Sequence, residues 1–338
     1  MDNLVAGGTG DSIQATSHRK PHIENLTPHT SHLTPKTENQ LTENQPMKFG
    51  MNLLLWSGEM NDGLIPVIES LKQMGYDGIE VPLYNYDIDY ASWSRRLDDM
   101  GLERTAVTIR TADDNPLSPD AKIRQLAIDN NRRAIDCVAD VGSSILAGPF
   151  HSALGEFTGT GPTSDEWKWG VEVMRATAEH AATRNVTLAI ECLNRFENYF
   201  LTNHYDAARL AREVDHPNCR IMYDTFHANI EEKNVRDTIV DNQDMLAHVH
   251  ISENDRSTPG TGNIRWQETF AALHEINYDG WLTVESFGLS LPEIAAATKI
   301  WRRMYDSSSL SYMRRQIFVA AAISGNDRPK DSTVSQPS

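Results

Sequence analysis

Val186-Thr-Leu-Ala-Ile-Glu-Cys-Leu-Asn-Arg-Phe-Glu197 carries the pattern on which the fold turns. Its opening run is too short for a helix and reads as a strand with a carboxylate at its carboxyl end. Successive side chains of a strand alternate, so Thr187, Ala189 and Glu191 share one face while Val186, Leu188 and Ile190 take the other. The bulky set suits packing against helices. The small or polar set suits the axis of a closed barrel.

Seven further runs repeat this design: Lys48 to Leu55, Gly78 to Pro82, Arg104 to Ile109, Ser143 to Gly148, Arg220 to Thr225, Leu246 to Ser252 and Trp281 to Ser286, with the run above spanning Val186 to Cys192. Amphipathic stretches separate them. Thr163-Ser-Asp-Glu166 is a capping box opening a helix through about Arg184, and another helix begins at Asn203 with Ala207, Leu210, Ala211 and Val214 on one face. Eight strand and helix units in a core near the ~250 residues usual for the architecture predict an α/β protein, a single-domain (β/α)8 TIM barrel over residues 47–323. A doubly wound open sheet would carry a glycine-rich phosphate turn after its first strand, and Trp56-Ser-Gly-Glu-Met-Asn-Asp-Gly63 has the wrong glycine spacing for one.

Residues 1–46 hold no Phe, Tyr or Trp but ten Ser or Thr and four histidines, His18, His22, His29 and His32, and read as a disordered leader. No apolar run there is long enough for a signal peptide. Residues 324–338 read as a disordered tail. The helical pattern from Leu291 to Ile323 is expected to cover the barrel or a partner subunit.

The chain of 338 residues has 47 acidic and 31 basic side chains, a formal charge of −16. Such an excess of carboxylates opposes a nucleic-acid partner and an anionic membrane surface. No window approaches the roughly 18 apolar residues of a membrane span. Cys137, Cys192 and Cys219 are far apart and form no CxxC pair, which suits small buried side chains in a reducing, cytoplasmic setting.

In this architecture chemistry sits at the carboxyl ends of the strands. The last four strands end in Glu191, Asp224, His250 and Glu285. Three carboxylates and one imidazole converging at one mouth would repel one another without a cation, and oxygen-rich ligation with one nitrogen suits Mn²⁺, Mg²⁺ or Co²⁺ better than a thiolate-type zinc site. His248, two residues before His250, is expected to point inward and support a ligand. Asn194, Arg195, His227, Asn229, Glu253, Asn254 and Asp255 crowd the following loops with polar groups; Glu231 and Glu232 read as surface pairing residues.

The blocks Glu191-Cys-Leu-Asn-Arg-Phe-Glu197, Tyr223-Asp-Thr-Phe-His-Ala-Asn-Ile-Glu-Glu232, His248-Val-His-Ile-Ser-Glu-Asn-Asp-Arg256 and Pro259-Gly-Thr-Gly262 resemble the motifs of the sugar phosphate isomerase/epimerase superfamily. These enzymes are xylose isomerase-like TIM barrels. More narrowly the likeness, which spans about Met47 to Phe287, is to the ketose 3-epimerases such as D-tagatose and D-allulose 3-epimerase. It implies that Glu191, Asp224, His250 and Glu285 bind one divalent ion of Mn²⁺ type. It also implies that Glu197, His227 and Arg256 hold the O1 to O3 end of a ketose, that Glu191 and Glu285 double as acid and base, and that Trp56 and Glu80 line the pocket. Leu154 stands where some of these epimerases carry tryptophan. A homodimer or homotetramer is implied as well.

A ketose C3 hydrogen is acidic only because the C2 carbonyl can become an enolate. An ion chelating O2 and O3 is expected to stabilise that charge, while one of Glu191 and Glu285 removes the proton and the other returns one to the opposite face of a cis-enediolate. An inosose dehydratase or a keto-sugar isomerase would share the first step. The metal-dependent apurinic endonucleases on this barrel would need more histidine ligands and a basic track. A sugar-binding barrel without turnover is the non-enzymatic alternative.

Overall fold

The computed structural model describes residues 47–304. The leader over residues 1–46, the tail over 324–338 and the preceding stretch from residue 305 lie outside the described residues. Eight parallel strands close on themselves in chain order: β1 (Lys48–Asn52), β2 (Gly78–Pro82), β3 (Glu103–Val107), β4 (Ile145–Gly148), β5 (Thr187–Ile190), β6 (Cys219–Asp224), β7 (Leu246–Ile251) and β8 (Trp281–Val284). The last pairs with the first, Gly50 lying opposite Thr283. This is the expected (β/α)8 barrel.

The outer layer contains α1 (Ile65–Gln73), α2 (Tyr90–Asp99), α3 (Ala121–Asp140), α4 (Ser164–Thr183), α5 (His204–Val214), α6 (Thr225–Glu231), α7 (Val235–Asp241), α8 (Trp266–Glu275) and α9 (Pro292–Ala297). Local chemistry sets their starts. At α4 the Thr163 hydroxyl accepts from the Glu166 amide and the Glu166 carboxylate accepts from the Thr163 amide, the reciprocal capping box read from sequence. At α5 the Asn203 side chain accepts from the Asp206 amide, and Ala207, Leu210, Ala211 and Val214 are all buried.

The alternation along β5 holds. Leu188 and Ile190 join the layer between strands and helices, whereas Ala189 packs with Ala147 and Met222 inside the barrel. Small residues suffice on this side because the opposite wall is occupied by larger polar groups. Asn52, Glu80, Thr105, His248, His250 and Thr283 are all at most 1% exposed, in a space that barrels usually fill with branched apolar residues. The base of the barrel is filled by the Trp281 ring. A Cβ on Gly78 would come within 2.6 Å of that ring and 2.4 Å of the Glu103 carbonyl, so only glycine fits there.

Two boundaries differ from the sequence reading. The first strand stops at Asn52 rather than Leu55, because the Asn52 side chain accepts from the Leu54 amide and turns Leu53–Leu55 into a 3-10 turn. Three consecutive leucines carry no signal against a strand. Nor does the helix expected from Leu291 run on: α9 ends at Ala297, Lys299 takes a left-handed φ of 59°, and Ile300 folds back into an apolar cluster with Leu54, Val107 and Phe287.

Candidate active site

Glu191, Asp224, His250 and Glu285 converge at the carboxyl end of the barrel. One ligand atom from each lies within 4.8 Å of all the others. The strand register produces this: Asp224 is paired with His250 and His250 with Thr283, so Glu285, two residues on, reaches the same level. Asp224 is fixed from behind. Its Oδ1 caps α6 by accepting from the amides of Phe226 at 2.6 Å and His227 at 3.3 Å, which leaves Oδ2 for the cluster. Burial alone would raise its carboxyl. The His250 contact and the charges of His227 and Arg256 outweigh burial and hold it well below the usual range.

His250 is aimed by what lies beneath it. Its Nδ1 faces the carboxylates, 3.5 Å from Glu285 and 3.7 Å from Asp224, and neither ring nitrogen has a partner in hydrogen-bond geometry. Its Nε2 sits 2.8 Å from Glu80 Oε2. The Glu80 carboxylate accepts from Asn52 at 2.9 Å, Thr105 at 2.9 Å and His248 Nε2 at 3.0 Å. A carboxylate behind one imidazole nitrogen fixes the ring and leaves the other nitrogen basic, the usual support for a metal-ligating histidine. Glu80 therefore lies under the cluster, not along the pocket where substrate contact was expected, and it is absent from the cavity wall. The inward pull of the strand period and of His248 places it there. His248 supports His250 through Glu80, as its position two residues upstream suggested. Although Glu80, His248 and His250 also come within 4.8 Å of one another, Glu80 is already saturated by hydrogen bonds.

Above the cluster opens a cavity continuous with solvent. Glu191 and Glu285 are part of its wall; Asp224 and His250 are not. Glu197, His227 and Arg256 complete a polar half supplied by the strands from β5 to β8. Asn194 organises two of them, its side chain donating to Glu197 Oε1 at 2.9 Å and its backbone amide to His227 Nδ1 at 2.9 Å. An amide can only donate, and so can the Arg256 guanidinium 3.0 Å from Nε2, so both ring nitrogens of His227 face donors, with Glu191 Oε1 3.4 Å from Nε2. The Arg256 guanidinium contacts Glu285 directly, lies 3.5 Å from Asp224 Oδ2, and is backed by the Phe226 ring at 4.0 Å. Its backbone is held at φ 61°, a conformation that costs free energy in a residue with a Cβ and is tolerated where the surroundings enforce it. Glu253, fully buried, enforces it by accepting from the amides of Gly260 at 2.7 Å and Ile264 at 3.2 Å, which ties down the loop that presents Arg256.

The opposite half of the cavity is apolar: Leu54, Val107, Ile109, Leu154, Phe287 and Ile294. Trp56, expected to line the pocket, is half-buried against the main core and lies outside the wall. The 3-10 turn after β1 puts Leu54 there in its place. Glu231 pairs with exposed Arg195 at 2.7 Å, but its side chain is only 7% exposed, and Glu232, 6% exposed, is drawn inward by His204 at 2.8 Å, so neither is the surface residue expected. Asn52, Tyr84 and Phe287 escaped the sequence reading. Counting by twos onward from Glu80 reaches Tyr84, and that period was the available signal.

The donor set fits a divalent cation. Three carboxylates share a buried space with an imidazole nitrogen that has no hydrogen-bond partner, and burial, followed by the Glu285 charge, pushes the Glu191 carboxyl up against the opposing pull of His227.

The sequence model of the family described as "Xylose isomerase-like TIM barrel" matches residues 68–306. An L-ribulose 3-epimerase of Methylomonas sp. (strain DH-1) is 31% identical over 267 residues, covering 78% of this chain and 93% of that protein. A D-psicose 3-epimerase of Agrobacterium fabrum is 30% identical, covering 82% and 98%. Among solved structures, D-allulose 3-epimerase from Methylomonas sp. in complex with D-allulose superposes with a TM-score of 0.78 at 29% identity, covering 82% of this chain and 97% of that one.

Proposed function

The chain belongs to the xylose isomerase-like TIM barrel family and groups there with ketose 3-epimerases, and from that premise we propose that it inverts C3 of a free ketose by proton transfer between Glu191 and Glu285. It is a carbohydrate epimerase by that kinship. The observation that carries the finer reading is the division of the cluster: of its four members, only Glu191 and Glu285 reach the cavity.

Glu191 follows β5 and Glu285 follows β8, so the two carboxylates approach the cavity from different strands. One takes the C3 proton, the C2–C3 pair becomes a cis-enediolate, and the other returns a proton to the opposite face. Arg256 and His227 face the oxygens beside C3, Arg256 as a donor, and Glu197 offers an acceptor. Held by Glu191, Asp224, His250 and Glu285, a divalent ion, Mn²⁺ in this proposal with Mg²⁺ or Co²⁺ as alternatives, would supply Lewis-acid stabilisation of the developing negative charge. The burial of all four residues strengthens every such interaction.

The substrate in this reading carries no phosphate. Among the described residues Arg256 is the only Lys or Arg in the cavity wall, and it is engaged by Glu285. A phosphorylated tail would meet Leu54, Val107 and Ile294 with no cation to receive it. A homodimer or homotetramer and a cytoplasmic setting complete the proposal; Cys137, Cys192 and Cys219 are buried and free, and no helix among the described residues is long and apolar enough to cross a membrane.

Deuterium exchange tests the reaction. With D-allulose, Mn²⁺ and D₂O, NMR should show deuterium entering C3 together with growth of the C3 epimer, D-fructose. Loss of water with no epimer would indicate a dehydratase, and retention of hydrogen at C3 of every free ketose tried would overturn the reading.

A further inference from the structure

One side chain of the cavity wall has chemistry that the proton transfer leaves unused. Tyr84 lies two residues past the end of β2, and its ring packs on the cluster of Leu54, Val107, Phe287 and Ile300. It belongs to the apolar half of the cavity. The other hydrogen-bonding side chains of the wall are engaged within the protein: Glu191 with His227, Glu197 with Asn194, Arg256 with Glu285, and the Thr298 hydroxyl with the Ile294 carbonyl. Among the described residues the Tyr84 phenol is the one hydrogen-bonding side chain of this wall with neither a hydrogen bond nor an ion pair. An ordinary phenol keeps its proton through the neutral range, so it is available as a donor there.

A ketose whose O1 to O3 end meets Glu197, His227 and Arg256 must direct the rest of its chain toward Leu54, Val107, Phe287 and Ile294. Each hydroxyl there gives up water and finds no partner on those side chains, which costs free energy. We propose that Tyr84 is a specificity-determining residue whose phenol donates a hydrogen bond to one substrate hydroxyl beyond C3, so that the enzyme selects ketoses that carry that hydroxyl over those that lack it. This rests on the ketose reading above. The contact is remote from the reacting carbon and equal in ground and transition states, so it acts through KM more than kcat.

The test is a cycle of Tyr84→Phe against D-allulose and its 4-, 5- and 6-deoxy derivatives. Phenylalanine keeps the ring against Leu54 and Phe287, and thermal unfolding verifies that the fold is intact. The wild-type enzyme is expected to favour D-allulose over one deoxy derivative by about 3- to 10-fold in kcat/KM, the size of one neutral hydrogen bond. In Tyr84→Phe that preference disappears and the other two ratios stay as they were. A preference that survives in the variant, or a wild-type enzyme indifferent to all three deletions, overturns the proposal while leaving the C3 chemistry standing. A wild-type enzyme with no activity on any free ketose instead removes the reading on which the proposal rests.

Discussion

Exchanging Glu285 for Gln is expected to lower kcat for inversion at C3 by about 10²- to 10⁴-fold, the usual weight of one placed acid or base, while the folded protein keeps measurable affinity for Mn²⁺. The amide has the shape of the carboxylate and can still accept from Asn52 Nδ2, 3.4 Å from Glu285 Oε1. It cannot take a proton from carbon. Arg256 loses its closest partner but retains Asp224 at 3.5 Å, so the guanidinium is not left as an isolated buried charge. Steady-state rates at saturating Mn²⁺ separate the loss of the base from the loss of the ion. A variant with the parental rate would remove Glu285 from the proton transfer.

Exchanging Glu80 for Gln should produce a comparably large effect on a residue that the cavity never touches. In the neutral ring, the form that ligates a cation, the carboxylate 2.8 Å from His250 Nε2 holds the proton on that nitrogen and leaves Nδ1 toward Asp224 and Glu285. A glutamine amide that donates to Nε2 reverses the tautomer and places the proton on Nδ1, where a cation would bind. Affinity for Mn²⁺ is then expected to fall about 10- to 100-fold, the usual cost of removing the support behind a ligating histidine. Leucine at the same position should be worse for the fold. Asn52, Thr105 and His248 would lose their acceptor inside the barrel, and each buried group left unpaired costs about 1–3 kcal/mol. Calorimetric titration for the glutamine variant and denaturant midpoints for the leucine variant read the two effects; parental Mn²⁺ affinity in Glu80→Gln would contradict the positioning role. Acid should erase the stabilising contribution of Glu80. Burial raises its carboxyl, but the charge of His250 and the hydrogen bonds of His248 and His250 prevail and hold it well below the usual range. The ionised group therefore stabilises the fold at every pH above its unfolded value of about 4 and loses that contribution as pH falls toward its folded value.

The cluster was legible because each of the last four strands spells out its own end. Val186 to Ile190 and Trp281 to Val284 are apolar runs that stop at a carboxylate, and the alternation of a strand determines which face that carboxylate takes. The same rule, carried along β2, puts Glu80 and Tyr84 on one face, and only height along the barrel axis separates Glu80 beneath the cluster from Tyr84 in the pocket wall. There the run offers no titratable terminus, so position along the barrel axis could not be read from the pattern. Asn52 was hidden for another reason. Its hydrogen bond to the Leu54 amide ends β1, and a competition between side chain and ladder leaves no mark in hydrophobic periodicity. The apolar half of the cavity was least legible of all. Leu54, Val107 and Ile294 come from segments far apart in the chain, and nothing in an isolated leucine or isoleucine distinguishes a wall that faces substrate from one that faces a helix.

Electron paramagnetic resonance of Mn²⁺ added to chelator-treated protein tests the centre of this account. The six-line signal of free Mn²⁺ should stay quenched until about one ion per chain has been added, and Asp224→Asn or His250→Gln should release it from the outset while the protein remains folded. Free signal from the first addition to the parental protein, or quenching untouched by both substitutions, would mean that these four side chains do not share an ion.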